Sequence, residues 1–432
     1  MNQIFDGFYK KTASQRLEIL HDLGWSKIRI DQEDHTGFEE VANLEEVQLP
    51  NAIANQMIEN YLFNYQLPLG VAVNFIVNDI PYSVPMVVEE PSVIAAASNG
   101  AKKLGNIRAT MNKRDVIGQV VFADVTDSEK FQAMIHTHQD ELLEVAKAAS
   151  QNMVKRGGGP RKIWTETFES QTTNFVTLYL SFDPCDAMGA NALNTVLEAI
   201  TPLVEKLTGY EGLMSILSNY ATEAIVKARC EIPIVSLHAD AQVAEQIAAK
   251  IVLASDYAHV DPYRATTHNK GIMNGIDAVL IATGNDWRAV EAGVHAYASR
   301  DGQYRSLTRW FIDQGTNELV GEIELPLQLA TVGGTISVHP TAKWALSLLH
   351  QPTANELAEI VAAVGLAQNF AAVRALVTDG IQKGHMALQA RSLAMQVGAE
   401  LSEIDEVVAL LRQQGIMNST TAKKVLENLR TK

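Results

Sequence analysis

The sequence predicts an α+β chain of three units: a large helix-rich body, a smaller α+β unit inserted into it, and a short helical tail. Three observations carry this. Helices with capping signals alternate with strand-like runs along the body. Composition turns polar at 108–114, and a second set of strands and helices follows. The segment 112–221 therefore reads as a separate unit within a body of 1–111 and 222–379. From Gly380 onward the chain has its own punctuation, so 380–432 reads as a terminal unit.

The elements follow in order. Thr12-Ala13-Ser14-Gln15 fits a capping box, and Leu17, Ile19, Leu20 and Leu23 supply the apolar side of a first helix that stops at Gly24. A second helix is expected over 51–64, capped by Asn51, with Ile53, Met57, Ile58 and Leu62 on its apolar side. Val71–Ile80 and Tyr82–Val88 read as strands joined at Asn78-Asp79. A helix follows over Val93–Lys103, with Pro91 in its first turn. Residues 108–114 read as a linker. In the inserted unit, strands are expected at Gly118–Val125 and Phe175–Asp183. One helix at 127–152 falls between them, a glycine-rich basic loop lies at 156–162, and a long helix covers 189–208.

Beyond it, Asp240 caps a helix reaching Tyr257. Val279–Ala282 reads as a short buried strand. Trp310–Gln314 and Leu319–Leu325 form a hairpin, and Glu356–Val377 is helical. Three tail helices are expected at 386–397, 403–414 and 420–430, with Ser402-Glu403-Ile404-Asp405 as a capping box and Gly415 as a stop.

The chain has 432 residues, 47% of them hydrophobic and 20% charged, which suits a globular protein large enough to bury a core without staples. Its 35 Lys plus Arg against 50 Asp plus Glu give a formal charge of −15, which disfavours nucleic acids and anionic membranes as general partners. Two cysteines, Cys185 and Cys230, exclude a disulfide scaffold and a four-cysteine zinc site. Neither a signal peptide nor a long uninterrupted apolar run is legible, so a soluble cytoplasmic protein is expected.

Several common motifs are absent. No G-x-G-x-x-G follows a strand, which speaks against a Rossmann fingerprint, and there is no P-loop, H-E-x-x-H or G-x-S-x-G. His136 and His138 lack a third ligand nearby and read as a helix-face pair, so no metal is expected.

Five constellations remain. Glu89-Glu90-Pro91-Ser92 places two acids between an apolar strand and an Ala-rich helix. A desolvated carboxyl there would have a raised pKa and serve as a general acid; equally, it would be a helix-start acid facing the dipole. The stretch 261–271 gathers Arg264, His268, Asn269 and Lys270. Arg264 suits clamping a carboxylate or phosphate and Lys270 suits an oxyanion, against the plain reading of a solvated basic loop. Asp286 fits an N-cap, with orientation of Lys270 as the alternative. His385 sits between Gly380 and Met386 on a segment suited to hinging, as a proton donor arriving by closure or as a structural histidine. Asp186-Ala187-Met188-Gly189-Ala190-Asn191 is a strand-to-helix turn suited to an anion. Basic residues of the 155–162 loop lie near it in sequence.

Taken together, these segments resemble 3-hydroxy-3-methylglutaryl-CoA (HMG-CoA) reductase, in its soluble class II bacterial form. The matching motifs are VEEPS at 88–92, RGGG at 156–159, DAMGAN at 186–191, ILSN at 216–219, DPYRATTHNKGIMNGID at 261–277, ATGNDWRAVEAG at 282–293, VGLAQN at 364–369 and GHMAL at 384–388. They extend in order over about three hundred residues.

The resemblance implies a two-step reduction of HMG-CoA to mevalonate and CoA using two NAD(P)H, by way of a hemithioacetal and mevaldehyde. It implies four catalytic residues. Lys270 stabilises the oxyanion, Glu90 supplies a proton, Asp286 tunes both, and His385 protonates the CoA thiolate. Ser92, Arg264, Asn274 and Gln368, with Asn219 nearby, would contact substrate, while Asp186, Met188, Gly189 and Asn191 would lie at the dinucleotide. It further implies a non-Rossmann cofactor domain, a C-terminal flap, and a homodimer with a shared site, with dimers assembling into a hexamer.

Two departures stand out. The family's E-N-V-I-G appears as Glu59-Asn60-Tyr61-Leu62-Phe63, with phenylalanine for glycine. Where NADH-preferring relatives carry an aspartate before the glycine run, this chain has Ser150. Without the acid that accepts from the ribose 2′-OH, NADPH is expected to be favoured, with NADH still possible. Mevalonate oxidation with NAD is the alternative direction. A CoA-thioester lyase and a non-catalytic CoA-binding homologue are the other classes weighed; the former would not turn over nicotinamide.

Overall fold

Strands β1 (Leu69–Val77) and β2 (Ile80–Val87) form the expected hairpin, in a computed structural model that describes residues 4–26, 47–378, 380 and 390–431. Asn78 and Asp79 both take positive φ, the backbone that a two-residue turn between twisted strands requires. The hairpin is one edge of a six-stranded sheet in the order β2-β1-β3-β8-β10-β9. Here β3 is Asn106–Met111, β8 is Ile225–Pro233, β9 is Thr308–Asp313 and β10 is Glu318–Pro326.

The polar stretch expected as a linker is therefore largely a strand. Ile107, Ala109 and Met111 point into the core, while Arg108 and Thr110 are the outward half of a period-two pattern. Because β3 pairs with β8, the chain leaves the large sheet and returns beside its point of departure.

The intervening chain builds a four-stranded antiparallel sheet, β5-β6-β4-β7. Its strands are β4 (Val116–Ala123), β5 (Gly159–Glu169), β6 (Asn174–Asp183) and β7 (Gly212–Ser218). Helix Ala190–Thr208 packs on it through Leu193, Val196, Leu197 and Ile200. No parallel crossover is present in this sheet, which agrees with the missing Rossmann fingerprint. The helix expected over 127–152 is three pieces, Ser128–Thr137, Gln139–Ala149 and Gln151–Val154, interrupted at His138 and Ser150. His136 and His138 lie at a helix end, and among the described residues no group of three metal-ligating side chains forms.

The large sheet wraps a central helix, Ala354–Val377, which opens with a complete Thr353–Glu356 capping box. This helix is long and apolar enough to cross a membrane. Two-thirds of its most apolar window is instead buried by its own protein, as a core helix requires. Neighbours approach it closely: a Cβ on Gly100 would lie 2.1 Å from the Ala367 carbonyl oxygen, so only glycine admits the Val93–Leu104 helix here.

Other expectations need correction. Helix Asn51–Met57 stops early and has Pro50, not Asn51, at its cap; the Asn51 side chain instead accepts from the Tyr61 hydroxyl at 2.7 Å. The rest of its expected apolar side finds no cover: Ile58 is 59% and Leu62 84% exposed. Pro91 precedes its helix, whose cap is Ser92. Val279–Ala282 is not a strand but the last turn of helix Pro262–Ala282, with Val279, Leu280 and Ala282 buried and Ile281 exposed. A short apolar run is ambiguous between the two states, and an apolar residue at the exposed position removes the periodicity that would decide.

In the tail, Gly415 ends helix Ile404–Gln414 as expected, but the 402–405 capping box does not form. The Glu403 carboxylate binds Arg430 and the Glu400 N–H instead. The first tail helix is described only from residue 390.

Candidate active site

The expected basic loop at 261–271 is the opening of a 21-residue helix, and its cause is local. Asp261 accepts the Arg264 N–H at 2.7 Å as N-cap, and Pro262 occupies the first turn, where its missing N–H costs nothing. The helix divides its polar residues between two environments. His268 and Asn269 are buried, whereas Lys270 is exposed.

Lys270 reaches the turn after β2. Its Nζ lies 3.0 Å from Glu90 Oε2, joining residues 180 apart in sequence. The desolvated carboxyl expected at Glu90 is not found, since its side chain keeps 38% of its exposure and is paired. Ser92, two residues on, holds φ 81° as a non-glycine cap, a left-handed conformation that carries strain. Arg264, less than two turns before Lys270, is half-buried and forms no ion pair with a described residue. Burial alone pushes its pKa down.

Gln368, on the core helix, is 5% exposed, and its Oε1 has no hydrogen-bond partner among the described residues. Its Cβ would stand only 3.1 Å from a Cβ on Gly275, so glycine there lets the Lys270 helix settle against Gln368. Asn274 sits one turn beyond Lys270, partly buried.

Asp286 is the N-cap of helix Trp287–Ala298, accepting from the Ala289 N–H at 3.2 Å and from Arg288 Nε at 3.3 Å. The cap reading therefore holds geometrically, while the tie to Lys270 is not among the described contacts. Asn219 is exposed, with its carbonyl oxygen against Gly293 of the same helix. His385 lies outside the described residues.

In the inserted unit, pairing of Gly159 with Asp183 brings the basic glycine loop beside the DAMGAN turn. Arg161 donates to the Gly157 carbonyl and pairs with Asp183, each at 2.7 Å. Gly189 holds φ 84° and opens helix Ala190–Thr208 with no side-chain cap; Asn191 is exposed in its first turn. Asp186 reaches the large domain, where its Oδ1 accepts the Ala354 N–H at 2.9 Å. Met188 packs on the large core, and its carbonyl accepts from Gln328. Ser150 is 8% exposed, and its hydroxyl donates to the Ala146 carbonyl at 2.8 Å.

Three features were missed by sequence reading. Arg114 is buried at the junction of the two sheets, donating Nη2 to the Leu329 carbonyl while Nε and Nη1 have no described partner. Asn285 pins the loop before Asp286 to both the N–H and the carbonyl of Ala330. Asn369 gathers His268, Thr308 and Trp310 into one buried network, in which burial takes the His268 pKa down to about 3. The polar pairs His268-Asn269 and Gln368-Asn369 inside apolar helices were the available signal.

Comparisons with known proteins identify the family. Residues 15–390 match the family described as hydroxymethylglutaryl-coenzyme A reductase. The 3-hydroxy-3-methylglutaryl-coenzyme A reductase of Archaeoglobus fulgidus is 40% identical over 435 residues, covering 100% of this chain and 96% of that protein. The probable enzyme of Borreliella burgdorferi is 35% identical over 380 residues, 87% of this chain and 86% of that one. Among solved structures, the reductase of Streptococcus pneumoniae superposes with a TM-score of 0.81 at 45% identity, covering 98% of this chain and 99% of that chain. The class II enzyme of Streptococcus pneumoniae bound to NADPH in open conformations gives 0.81 at 44% identity, over 87% and 100%. The chain belongs to the hydroxymethylglutaryl-coenzyme A reductase family.

Proposed function

We propose that the protein reduces HMG-CoA to mevalonate and CoA, consuming two NADPH in the biosynthetic direction. The observation that carries this is the Lys270–Glu90 pair at 3.0 Å on the helix that also presents Arg264, which has no acid partner among the described residues. A half-buried guanidinium so placed is suited to the free carboxylate of the glutaryl group. Lys270 then faces the thioester end, where its ammonium stabilises negative charge developing on the carbonyl oxygen. Glu90, already in hydrogen-bond reach of Lys270, supplies the proton to that oxygen at the aldehyde stage. Gln368 Oε1 and Asn274 offer polar contacts to the substrate, Ser92 and Asn219 lie at the rim, and Asp286 orients the group. His385 is assigned protonation of the departing thiolate.

The residues present fit a dinucleotide. A helix N-terminus at Gly189 without a side-chain cap and two buried nitrogens on Arg114 that have no partner among the described residues are suited to its anionic groups. Asp186, Met188 and Asn191 border that place. When bound, NADPH supplies the hydride. Ser150 puts no carboxylate against a 2′-phosphate, which supports NADPH over NADH. The exposed apolar group of Ile58, Leu62, Phe63 and Tyr65 supports a homodimer that covers it.

The test is turnover of purified protein with HMG-CoA, following NADPH absorbance and free thiol together. Two NADPH oxidised per CoA released is expected. Thiol release without NADPH oxidation would leave a thioester hydrolase instead.

A further inference from the structure

Behind Lys270 the helix Pro262–Ala282 makes a second set of contacts that the reaction does not use. Asp277 lies two turns beyond Lys270 and one turn beyond Asn274, on the same row of the helix. Its carboxyl meets that of Glu291, from the helix capped by Asp286. Glu291 also meets His295 Nε2 at 2.5 Å, and His295 Nδ1 faces the Tyr304 hydroxyl at 2.7 Å. Tyr304 in turn lies beside Asn269, the neighbour of Lys270. A continuous polar chain thus leaves the Lys270 helix at Asp277 and returns to it at Asn269.

Asp277 Oδ1 is buried, and no N–H or O–H of a described residue donates to it. Two carboxyl oxygens satisfy each other only with a proton between them. His295 is the group placed to balance the charge on Glu291, so the proton belongs on Asp277. Burial and the facing Glu291 push the Asp277 pKa in the same direction, up to about 9, while His295 holds that of Glu291 down.

We propose that Asp277, as a neutral acid donating to Glu291, is a positioning residue that locks the Lys270 helix to the helix beginning at Asp286. The inference rests on the catalytic reading of Lys270. It assigns these side chains the alignment of Lys270 and Asn274 against Glu90, a geometry in which small displacements cost large factors in rate.

The experiment compares Asp277→Asn with Asp277→Leu. Asn keeps a neutral donor of the same shape; Leu removes it. Expected for Asn is a kcat within about threefold of wild type, and for Leu a fall of about a hundredfold with the KM for NADPH unchanged. If Asn falls as far as Leu, the group works as a carboxylate and the proposal is overturned; full activity in Leu overturns the positioning role. Infrared difference spectra of wild type minus Asp277→Asn give a readout free of turnover and independent of whether the Leu variant folds. A protonated-carboxyl stretch present in the wild type and missing in the variant is expected, and its absence overturns the neutral acid. Should Lys270→Ala keep full activity while that stretch is present, the catalytic reading fails and the proton assignment stands.

Discussion

Two polar clusters share the helix Pro262–Ala282, and they differ in how fully they are satisfied. His268 and Asn269 face inward, and Asn369, Thr308 and Trp310 close a network at 2.6–3.0 Å around His268. Lys270 and Arg264 stay less covered, one holding a partly exposed ion pair and the other no acid among the described residues. The first cluster commits most of its hydrogen bonds to the fold, although His268 Nδ1 has no partner among the described residues. The second keeps charge available to a ligand. Residue type does not separate them, since arginine, histidine, asparagine and lysine stand within seven positions. Satisfaction does, because a buried group already paired has little left to give to chemistry.

The largest effect should come from the open cluster. Lys270→Ala is expected to lower kcat roughly a thousandfold, as loss of an oxyanion-stabilising charge does. Its side chain is mostly exposed, so the unfolding free energy should barely move, by under about 0.5 kcal/mol. A large stability loss would place Lys270 with the structural cluster instead.

The closed cluster should show the inverse. Asn369→Leu leaves the Trp310 indole N–H and the Thr308 hydroxyl without their shared acceptor. A cost of about 3 kcal/mol in urea unfolding is expected. Unchanged stability would mean that the network relaxes freely and that satisfaction is a poor guide.

How much of this division was legible follows from the kind of signal each part leaves. Glu90, Lys270 and Arg264 were singled out because charged residues beside apolar runs are conspicuous, and the structure does bring Glu90 to Lys270. Asn369 and Asn285 were passed over because their partners, Trp310 and Ala330, lie 59 and 45 residues away, and no local pattern encodes such pairs. The β1–β2 hairpin and the β9–β10 hairpin were legible from alternation and turn residues. Strand β8 alternates too, with Lys227, Arg229 and Glu231 outward and Val226, Ala228 and Cys230 inward, yet charged residues disguise it. Tertiary burial blurred the signal at Val279–Ala282, where Val279, Leu280 and Ala282 are covered and an apolar residue, Ile281, takes the exposed position.

A graded effect should come from pH. His268 titrates near 6.5 when unfolded and is pushed down to about 3 in the folded chain. Between those values the unfolded chain binds the extra proton, so acidification weakens the fold by about 1.4 kcal/mol per pH unit from this group. Above pH 6.5 both states hold a neutral ring and the contribution is flat. Unfolding free energies for wild type and His268→Gln should therefore converge as pH falls from 6.5 toward 3. Parallel curves would show that the ring is not the titrating group.

The smallest effect tests the same rule in the inserted unit. Ser150 stands near the expected cofactor site, but its hydroxyl is already given to Ala146 within the chain. If satisfaction marks structural residues, the hydroxyl itself makes no contact with the dinucleotide. What matters for NADPH is only that no carboxylate stands there. Ser150→Ala should then leave the ratio of kcat/KM for NADPH over NADH within about twofold of wild type, with a stability change of no more than about 1 kcal/mol. A ratio that shifts tenfold would place the hydroxyl on the cofactor and break the rule where it is easiest to apply. That outcome would also require the Gln139–Ala149 helix end to open on binding, because Ser150 cannot keep its bond to Ala146 and donate to a ribose phosphate with the same hydrogen.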